Sequence, residues 1–293
     1  MSKSIKVLLI TCALFICVGC ASQSQKQSNN QGQSQNQKLY KNTYPEQVEK
    51  DISVSATSSD KNKATEDTSG NKTEINEKMT LEGLTVCIDA GHGKTSRSSS
   101  EKEPIAPGSD IMKVAIASGT SGVCTKVSEE SLNLKVAMKL KKALSDKGAK
   151  IVMIRETSTC DLTNVERAQL WNASSTDLTI RLHGNGINDS KVSGVLMMIP
   201  GEKYIKDKEI IRNSAVAGKY ILEGVLKYTK AKSRGTVKST DLTGFNWSKV
   251  PVVLLEMGFM TNPQEDKLLN TDEYQDKIIL GIVEGIEKYK KSK

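Results

Sequence analysis

The sequence contains little histidine, few aromatic residues and no long hydrophobic run. Only two of its 293 residues are histidine, and 4% are aromatic. No apolar run reaches the roughly 18 residues that a spanning helix needs, which excludes a polytopic membrane protein. The 42 Lys and Arg residues exceed the 34 Asp and Glu residues, and the resulting charge of +8 suits an anionic partner. Because the excess is modest and aromatic residues are scarce, a nucleic-acid-binding role is not expected.

Cysteine is also sparse, and its spacing does not define a framework. Three of the six cysteines lie within the first 20 residues. The others, Cys87, Cys124 and Cys160, are odd in number and lack Cys-x-x-Cys spacing, which fits neither a disulfide scaffold nor a structural zinc site. The sequence does not decide whether two of these three cysteines form a disulfide bond. Cys87 lies in an apolar stretch and is expected to pack as a small hydrophobic residue.

The N-terminus has the pattern of an export signal. Lys3 and Lys6 precede the apolar run 7–19, and Cys20 follows it directly. A run this short after a basic segment is typical of a secretory signal. Residues 17–20 (CVGC) resemble a bacterial lipobox, which implies that residues 1–19 are removed and that a lipid on Cys20 holds the protein to the outer face of the cytoplasmic membrane. The alternative is a plain signal peptide cleaved nearby.

A polar segment follows and precedes a single globular domain. Half of residues 21–78 are Ser, Thr, Asn or Gln. Such a chain buries too little apolar surface to offset its ordering entropy, so we predict that residues 20–78 form a disordered linker. The remaining residues, 79–293, are predicted to form that domain.

Residues 79–293 alternate between strand and helix patterns. Leucine or valine recurs every four residues in Glu129–Lys147, after Ser128 as N-cap and before Gly148, which predicts a helix. The other predicted helices are Asn164–Ala173, Lys206–Tyr228 and Glu273–Lys290. The predicted strands are Leu84–Ala90, Lys150–Arg155, Asp177–Leu182, Gly194–Ile199 and Val252–Met257. Apolar strands separated by helices indicate a single α/β domain, whose mostly parallel sheet carries helices on both faces.

Both histidines follow strands and lie beside glycine, His92 in DAGHG and His183 in RLHGN. Ligands bind at the carboxyl ends of strands in open α/β sheets, so we expect a metal site or a catalytic site there. A catalytic zinc site takes three protein ligands, of which His₂Glu is one known set. The third ligand is predicted to be Glu129 or Glu130, between which spacing does not decide. Either carboxylate could instead stabilise the helix N-terminus.

A further carboxylate, Glu256, ends an otherwise apolar strand in PVVLLEMGF. A buried glutamate is costly unless something pairs with it. At a zinc site it would act as a general base and then as a general acid. The alternative is a salt bridge to Arg181 or Arg155.

Four ordered segments resemble the zinc-dependent N-acetylmuramoyl-L-alanine amidases of the amidase-3 type. They are DAGHG (89–93), EESLNLKVA (129–137), IRLHGN (180–185) and PVVLLEMGFMTNPQEDKLL (251–269). The resemblance spans about residues 82–290. It implies a mixed six-stranded α/β sheet, a Zn²⁺ ion held by His92, Glu129 and His183, and Glu256 as the catalytic acid and base. The implied reaction is hydrolysis of the amide between N-acetylmuramic acid and L-alanine in peptidoglycan.

Some features depart from the family pattern or leave alternatives open. Arg181 stands where many members have serine, and it shares a strand face with His183. We expect Arg181 either to pair with Glu256 or to bind a substrate carboxylate, and Asn185 is a second candidate for substrate binding. The long segment 94–128 is expected to form part of a groove wall. The chain is expected to be monomeric. Alternative functions are a non-catalytic peptidoglycan-binding lipoprotein and a zinc peptidase acting on the stem peptide.

Overall fold

The structure is a computed structural model that describes residues 79–293. The predicted signal segment 1–19, the lipidated Cys20 and the linker up to residue 78 lie outside the described residues. Within residues 79–293, no helix combines the length and the apolar content needed to cross a membrane.

Six strands form one mixed sheet, and two short strands form a separate hairpin. The strands are β1 (Thr85–Ala90), β2 (Lys102–Pro104), β3 (Met112–Val114), β4 (Lys150–Met153), β5 (Leu178–Asn185), β6 (Val195–Pro200), β7 (Ser233–Ser239) and β8 (Val252–Phe259). The sheet order is β4-β1-β5-β8-β6-β7, and β2 pairs with β3. All neighbours in the sheet are parallel except β6 and β8, which are antiparallel. The predicted fold class is therefore confirmed.

Six helices cover the sheet. They are α1 (Glu129–Asp146), α2 (Asn164–Ala173), α3 (Lys208–Thr229), α4 (Thr243–Asn246), α5 (Pro263–Leu269) and α6 (Asp272–Lys291). Four of them start after a side chain that caps the helix: for example, Thr163 accepts from Glu166 N in a capping box before α2, and Asn262 accepts from the first turn of α5. Four of these helices were predicted, with ends that differ by up to two residues.

Alternation along the strands separates two cores. Val86 and Ile88 of β1 belong to the large cluster that includes residues of α1, α3 and α6. Cys87, between them, packs with Trp171 of α2, and Leu254 of β8 packs with Phe245 of α4. The sheet thus has one face covered by long helices and a second face covered only partly by α2 and α4, which leaves room for a site.

Three local features were not predicted from the sequence. β7 is an edge strand whose residues are mostly half-buried or exposed, so its sequence SRGTVKS carries no apolar run. The hairpin β2–β3 lies inside the segment 94–128, and the short helices α4 and α5 were missed.

Cys87, Cys124 and Cys160 are all free, so none of the bridges left open by the sequence is present among them. Cys87 is fully buried in an apolar cluster, as predicted.

Candidate functional site

Neighbouring strands place four polar side chains on the second face of the sheet. In the parallel register, Asp89 of β1 lies beside Arg181 of β5, and His183 lies beside Glu256 of β8. Arg181 and His183 are two residues apart on one strand and therefore project to the same face. All four stand toward the carboxyl ends of their strands, where α/β sheets bind ligands.

His92 comes from the turn after β1 and is brought against His183. Gly91 permits this approach, because a Cβ there would lie 2.3 to 2.7 Å from three atoms of the His183 ring. His92 itself has a left-handed backbone with φ of 60°. The two imidazole rings are 4.8 Å apart between centroids and almost perpendicular, with an interplanar angle of 82°.

Glu129, the first residue of α1, completes the group. Its Oε1 lies 3.0 Å from His92 Nε2 and 3.0 Å from His183 Nδ1. Backbone amides hold the carboxylate in place, since Thr120 N donates to Oε2 at 2.9 Å and Gly184 N donates to Oε1 at 3.2 Å. The adjacent Glu130 turns away and accepts a hydrogen bond from Ser128 Oγ. Of the two candidate third ligands, Glu129 is the one that meets the histidines.

These three residues form a group that could hold a metal ion, with one ligand atom from each lying within 4.8 Å of the others. The donor set is suitable because the Ala117 carbonyl oxygen, which only accepts, lies 2.8 Å from His92 Nδ1. The proton of His92 is therefore on Nδ1, and Nε2 keeps its lone pair for a ligand. His183 Nε2 is buried and has no hydrogen-bond partner within the described structure. A cation would satisfy this nitrogen and the crowded carboxylate.

The electrostatics of the group keep His183 neutral and Glu129 anionic. Burial lowers the pKa of His183 to about 4, so this imidazole is neutral near pH 7. Burial alone would raise the pKa of Glu129, but His92 and His183 hold it well below its usual value. Burial also opposes protonation of His92, yet the Glu129 carboxylate gives its pKa a net upward shift.

Glu256 is buried beside the group of His92, Glu129 and His183, and within residues 79–293 it has no ionic partner. It is 7% exposed, and its Oε2 has no hydrogen-bond partner among the described residues. Burial, and secondly the negative charge of Glu129, raise the pKa of Glu256 well above its usual value, whereas Arg181 opposes this shift. A carboxyl group in this environment can exchange a proton with a bound molecule.

The alternative considered for Glu256, a salt bridge to Arg181 or Arg155, is not formed. Arg181 Nε donates instead to Asp89 Oδ2 at 2.8 Å. Arg155 donates to backbone carbonyls, including that of Ala90 at 2.8 Å. Arg181 therefore pairs with Asp89 and Arg155 with backbone carbonyls, so neither arginine forms an ion pair with Glu256.

A cavity of about 120 Å³ opens next to Glu256. Its floor includes His183, Arg181 and Glu256, and its lining residues from the segment 94–128 are Lys113, Val114, Ala117 and Ser118. This confirms that the segment forms part of a wall. At the rim Lys113 Nζ lies 2.9 Å from Asp241 Oδ1, which joins the hairpin to the segment before α4.

The two residues predicted to bind substrate differ in position. Arg181 lines the cavity and is fixed through Asp89, which is fully buried. Asn185 is absent from the cavity lining, and its Oδ1 accepts a hydrogen bond from Gly186 N at 2.8 Å. Asn185 therefore does not contact the cavity, and the structure gives no support for its predicted role in substrate binding.

Sequence reasoning missed Asp89 as an organising residue. Its carboxylate bonds to Arg167 Nη1 at 2.6 Å and to Arg181 Nε at 2.8 Å. Although burial opposes ionisation, Arg167 and then Arg181 hold the pKa of Asp89 far below its usual value. The sequence did contain a signal for this pairing: an acidic residue, Asp89, near the end of an apolar strand, and an arginine, Arg167, inside a predicted helix.

Comparisons with known proteins give a consistent result. The family model described as N-acetylmuramoyl-L-alanine amidase matches residues 86–288. The chain is 31% identical over 209 residues to the uncharacterized protein YqiI of Bacillus subtilis, covering 71% of this chain and 86% of that protein. It is 29% identical over 178 residues to the germination-specific N-acetylmuramoyl-L-alanine amidase of Bacillus subtilis, covering 56% and 71% of the two chains.

A solved structure is also similar to this chain. The N-acetylmuramoyl-L-alanine amidase from Clostridium difficile aligns with a TM-score of 0.57 and 28% identity, covering 72% of this chain and 98% of that chain. The family match, residues 86–288, includes His92, Glu129, His183 and Glu256.

Proposed function

Because this chain belongs to the amidase-3 family of N-acetylmuramoyl-L-alanine amidases, we propose that it is a zinc-dependent peptidoglycan hydrolase. The bond cleaved is the amide between the lactyl group of N-acetylmuramic acid and the L-alanine of the stem peptide. The observation that carries the proposal is the convergence of His92, Glu129 and His183 beside the buried, unpaired Glu256.

In this proposal His92, Glu129 and His183 hold the zinc ion. Two imidazoles and one carboxylate form the His₂Glu donor set of known catalytic zinc sites. When bound, zinc polarises the scissile carbonyl and makes water a usable nucleophile near neutral pH. The Ala117 carbonyl and the Thr120 amide orient the ligand side chains before the ion arrives.

Glu256 is proposed as the general base and general acid. It lies beside His183 in the sheet and lines the cavity in which the amide would bind. Its carboxylate takes the proton from the attacking water and delivers it to the departing alanine nitrogen. The raised pKa of Glu256 makes its carboxylate a stronger base for the water proton, and the positive charge of a bound zinc ion would favour the ionised form that this step needs.

Arg181 is proposed to bind a carboxylate of the stem peptide. Its guanidinium is fixed at Nε by Asp89, while the side chain also lines the cavity. Asp89 is shared between Arg181 and Arg167, so one carboxylate faces two guanidinium groups. This excess of positive charge favours an anionic group in the cavity. Asn185 remains a second, weaker candidate for substrate contact.

The cellular setting is part of the same proposal. A lipid on Cys20 would anchor the protein, as a monomer, to the outer face of the cytoplasmic membrane, and residues 20–78 would let the domain reach the cell wall. Replacing Cys20 by alanine should release an otherwise active protein from the membrane fraction. Retention of this variant on the membrane would contradict the lipid anchor and leave the proposed reaction unaffected.

The reaction is tested by solubilisation of purified peptidoglycan. Wild-type protein should clear a suspension, lose this activity in a chelator and regain it on addition of zinc. The Glu256→Gln variant should bind zinc but leave the suspension turbid, whereas His92→Ala should lose both properties. A wild-type protein that binds peptidoglycan without clearing it would instead support the non-catalytic alternative.

A further inference from the structure

The turn that carries His92, taken here as residues 89–92 and so including the last two residues of β1, has an unusual backbone. It lies between two buried arginines. His92 has φ of 60°, a conformation that non-glycine residues adopt only when their surroundings impose it. Gly91 is packed against the His183 ring. The turn therefore needs support from outside its own sequence to hold the His92 ring in place.

Arg155, just after β4, supplies part of that support. Its Nε donates to the Ala90 carbonyl at 2.8 Å, and its Nη2 donates to the Gly91 carbonyl at 3.0 Å. The same Nη2 donates to the Glu130 carbonyl at 2.8 Å, in the first turn of α1. One guanidinium group thus joins the turn that carries His92 to the helix end that carries Glu129.

Arg167 of α2 also binds this turn, through a hydrogen bond and an ion pair. Its Nη2 donates to the His92 carbonyl at 2.8 Å, and its Nη1 bonds to Asp89 Oδ1 at 2.6 Å. Three successive carbonyls, those of Ala90, Gly91 and His92, therefore accept hydrogen bonds from buried arginines. The rigid fork of guanidinium donors allows each side chain to reach several acceptors at once.

Arg155 is the more informative of the two arginines. It is 5% exposed, and no carboxylate lies within ion-pair distance of it in the described part of the chain. Within the described residues its hydrogen bonds all go to main-chain carbonyls, those of Ala90, Gly91, Glu130 and Thr157. Three of these four carbonyls belong to the two segments that carry His92 and Glu129.

We propose that Arg155 is a positioning residue that fixes the spacing between His92 and Glu129 and thereby sets the metal affinity of the site, with Arg167 holding the far side of the turn. This inference rests on the proposed function, because it requires a metal at the His92, Glu129 and His183 group. Arg155 touches neither the substrate nor the ion. Its effect passes through the backbone of the turn and the first turn of α1.

The test measures zinc affinity rather than activity. Zinc dissociation constants are determined by competition with a chelating dye for the wild type, Arg155→Met and Arg155→Lys, together with the absorption spectrum of the cobalt-loaded proteins. Loss of groups that orient metal ligands weakens binding by about 10- to 100-fold, which is the expected result for Arg155→Met. Arg155→Lys should also bind more weakly than the wild type, because an ammonium group lacks the planar fork that spans the three carbonyls.

Arg234→Met is the matched control. Arg234 is a half-buried arginine whose Nε donates to the Ser193 carbonyl at 2.7 Å, and it lies on the edge strand β7. Its replacement should leave zinc affinity and the cobalt spectrum unchanged, whatever it does to the melting temperature. If Arg155→Met fails to fold, Arg155→Lys carries the comparison, since it keeps the charge and most of the stem.

Two results would overturn different parts of the account. Zinc affinity and cobalt spectra equal to those of the wild type in both Arg155 variants would refute the positioning role and leave the proposed function intact. A wild-type protein that binds no zinc would refute the proposed function, and the inference about Arg155 would fall with it.

Discussion

Adding a single methyl group at Gly91 should displace His183. A Cβ there would lie 2.3 Å from the nearest His183 ring atom, whereas a relaxed contact between carbon atoms is about 3.5 Å. The ring must recede by about 1 Å or the turn must move by as much. Overpacking of this size typically costs about 1–3 kcal/mol of stability. A misplacement of about 1 Å in an active site can lower turnover about 10²-fold.

The prediction is checked by comparing Gly91→Ala with Gly218→Ala. A Cβ on Gly218 of α3 would lie 2.9 Å from Ile199 Cγ2, so this control adds a methyl group to a tight contact on the opposite face of the sheet. Zinc affinity, peptidoglycan hydrolysis and urea unfolding are measured for both variants. Only Gly91→Ala should lose zinc affinity and activity. Equal zinc affinity and hydrolysis in the two variants would refute the role assigned to the position of the His183 ring.

Three further predictions address the carboxylates and Arg181. Glu256→Gln should keep zinc but lose at least about 10²-fold in kcat, the usual contribution of an acid-base group, and an unchanged kcat would rule it out as the base. Arg181→Met should raise KM more than it lowers kcat for muropeptides with free stem carboxylates, and should have less effect on amidated ones. Asp89→Asn should cost about 3 kcal/mol in urea unfolding at pH 7, because two buried guanidinium groups lose their anion. Since the pKa of Asp89 is lowered in the folded state, its stabilisation is present above the unfolded value of about 3.9 and is lost as pH falls below it. The stability difference between the wild type and Asp89→Asn should therefore shrink below pH 4, and a difference independent of pH would contradict the ionised state of Asp89.

The strands and helices with clear apolar patterns could be predicted from the sequence, and the edges of the fold could not. The interior strands are buried on both faces and therefore read as apolar runs. β7 lies at the sheet edge, where half-exposed positions accept polar residues, and SRGTVKS gives no strand signal. The hairpin β2–β3 is held by contacts with distant residues, such as the bond from Trp247 Nε1 to the Pro104 carbonyl at 2.9 Å. Local sequence does not encode such contacts.

The candidate site was predictable in its residues but not in its pairings. The sequence predicted that both histidines follow strands at a common edge; His92 does follow β1, whereas β5 extends through His183, and the sheet order places β1 and β5 side by side. Spacing alone left Glu129 and Glu130 equivalent, because both stand in the first turn of α1, and only the direction of the helix decides which one faces the histidines. The alternative salt bridge between Glu256 and Arg181 does not form, because Arg181 bonds to Asp89 of the neighbouring strand β1, and only the strand order places those two residues side by side.

The identity of the bond that is broken tests the central claim most directly. Purified peptidoglycan is digested with the zinc-loaded protein, and the soluble products are analysed by mass spectrometry. The account predicts stem peptides with a free L-alanine amino group, together with glycan strands that carry free lactyl carboxyl groups. Fragments in which alanine is still joined to the lactyl group, with the cut inside the stem peptide, would contradict it.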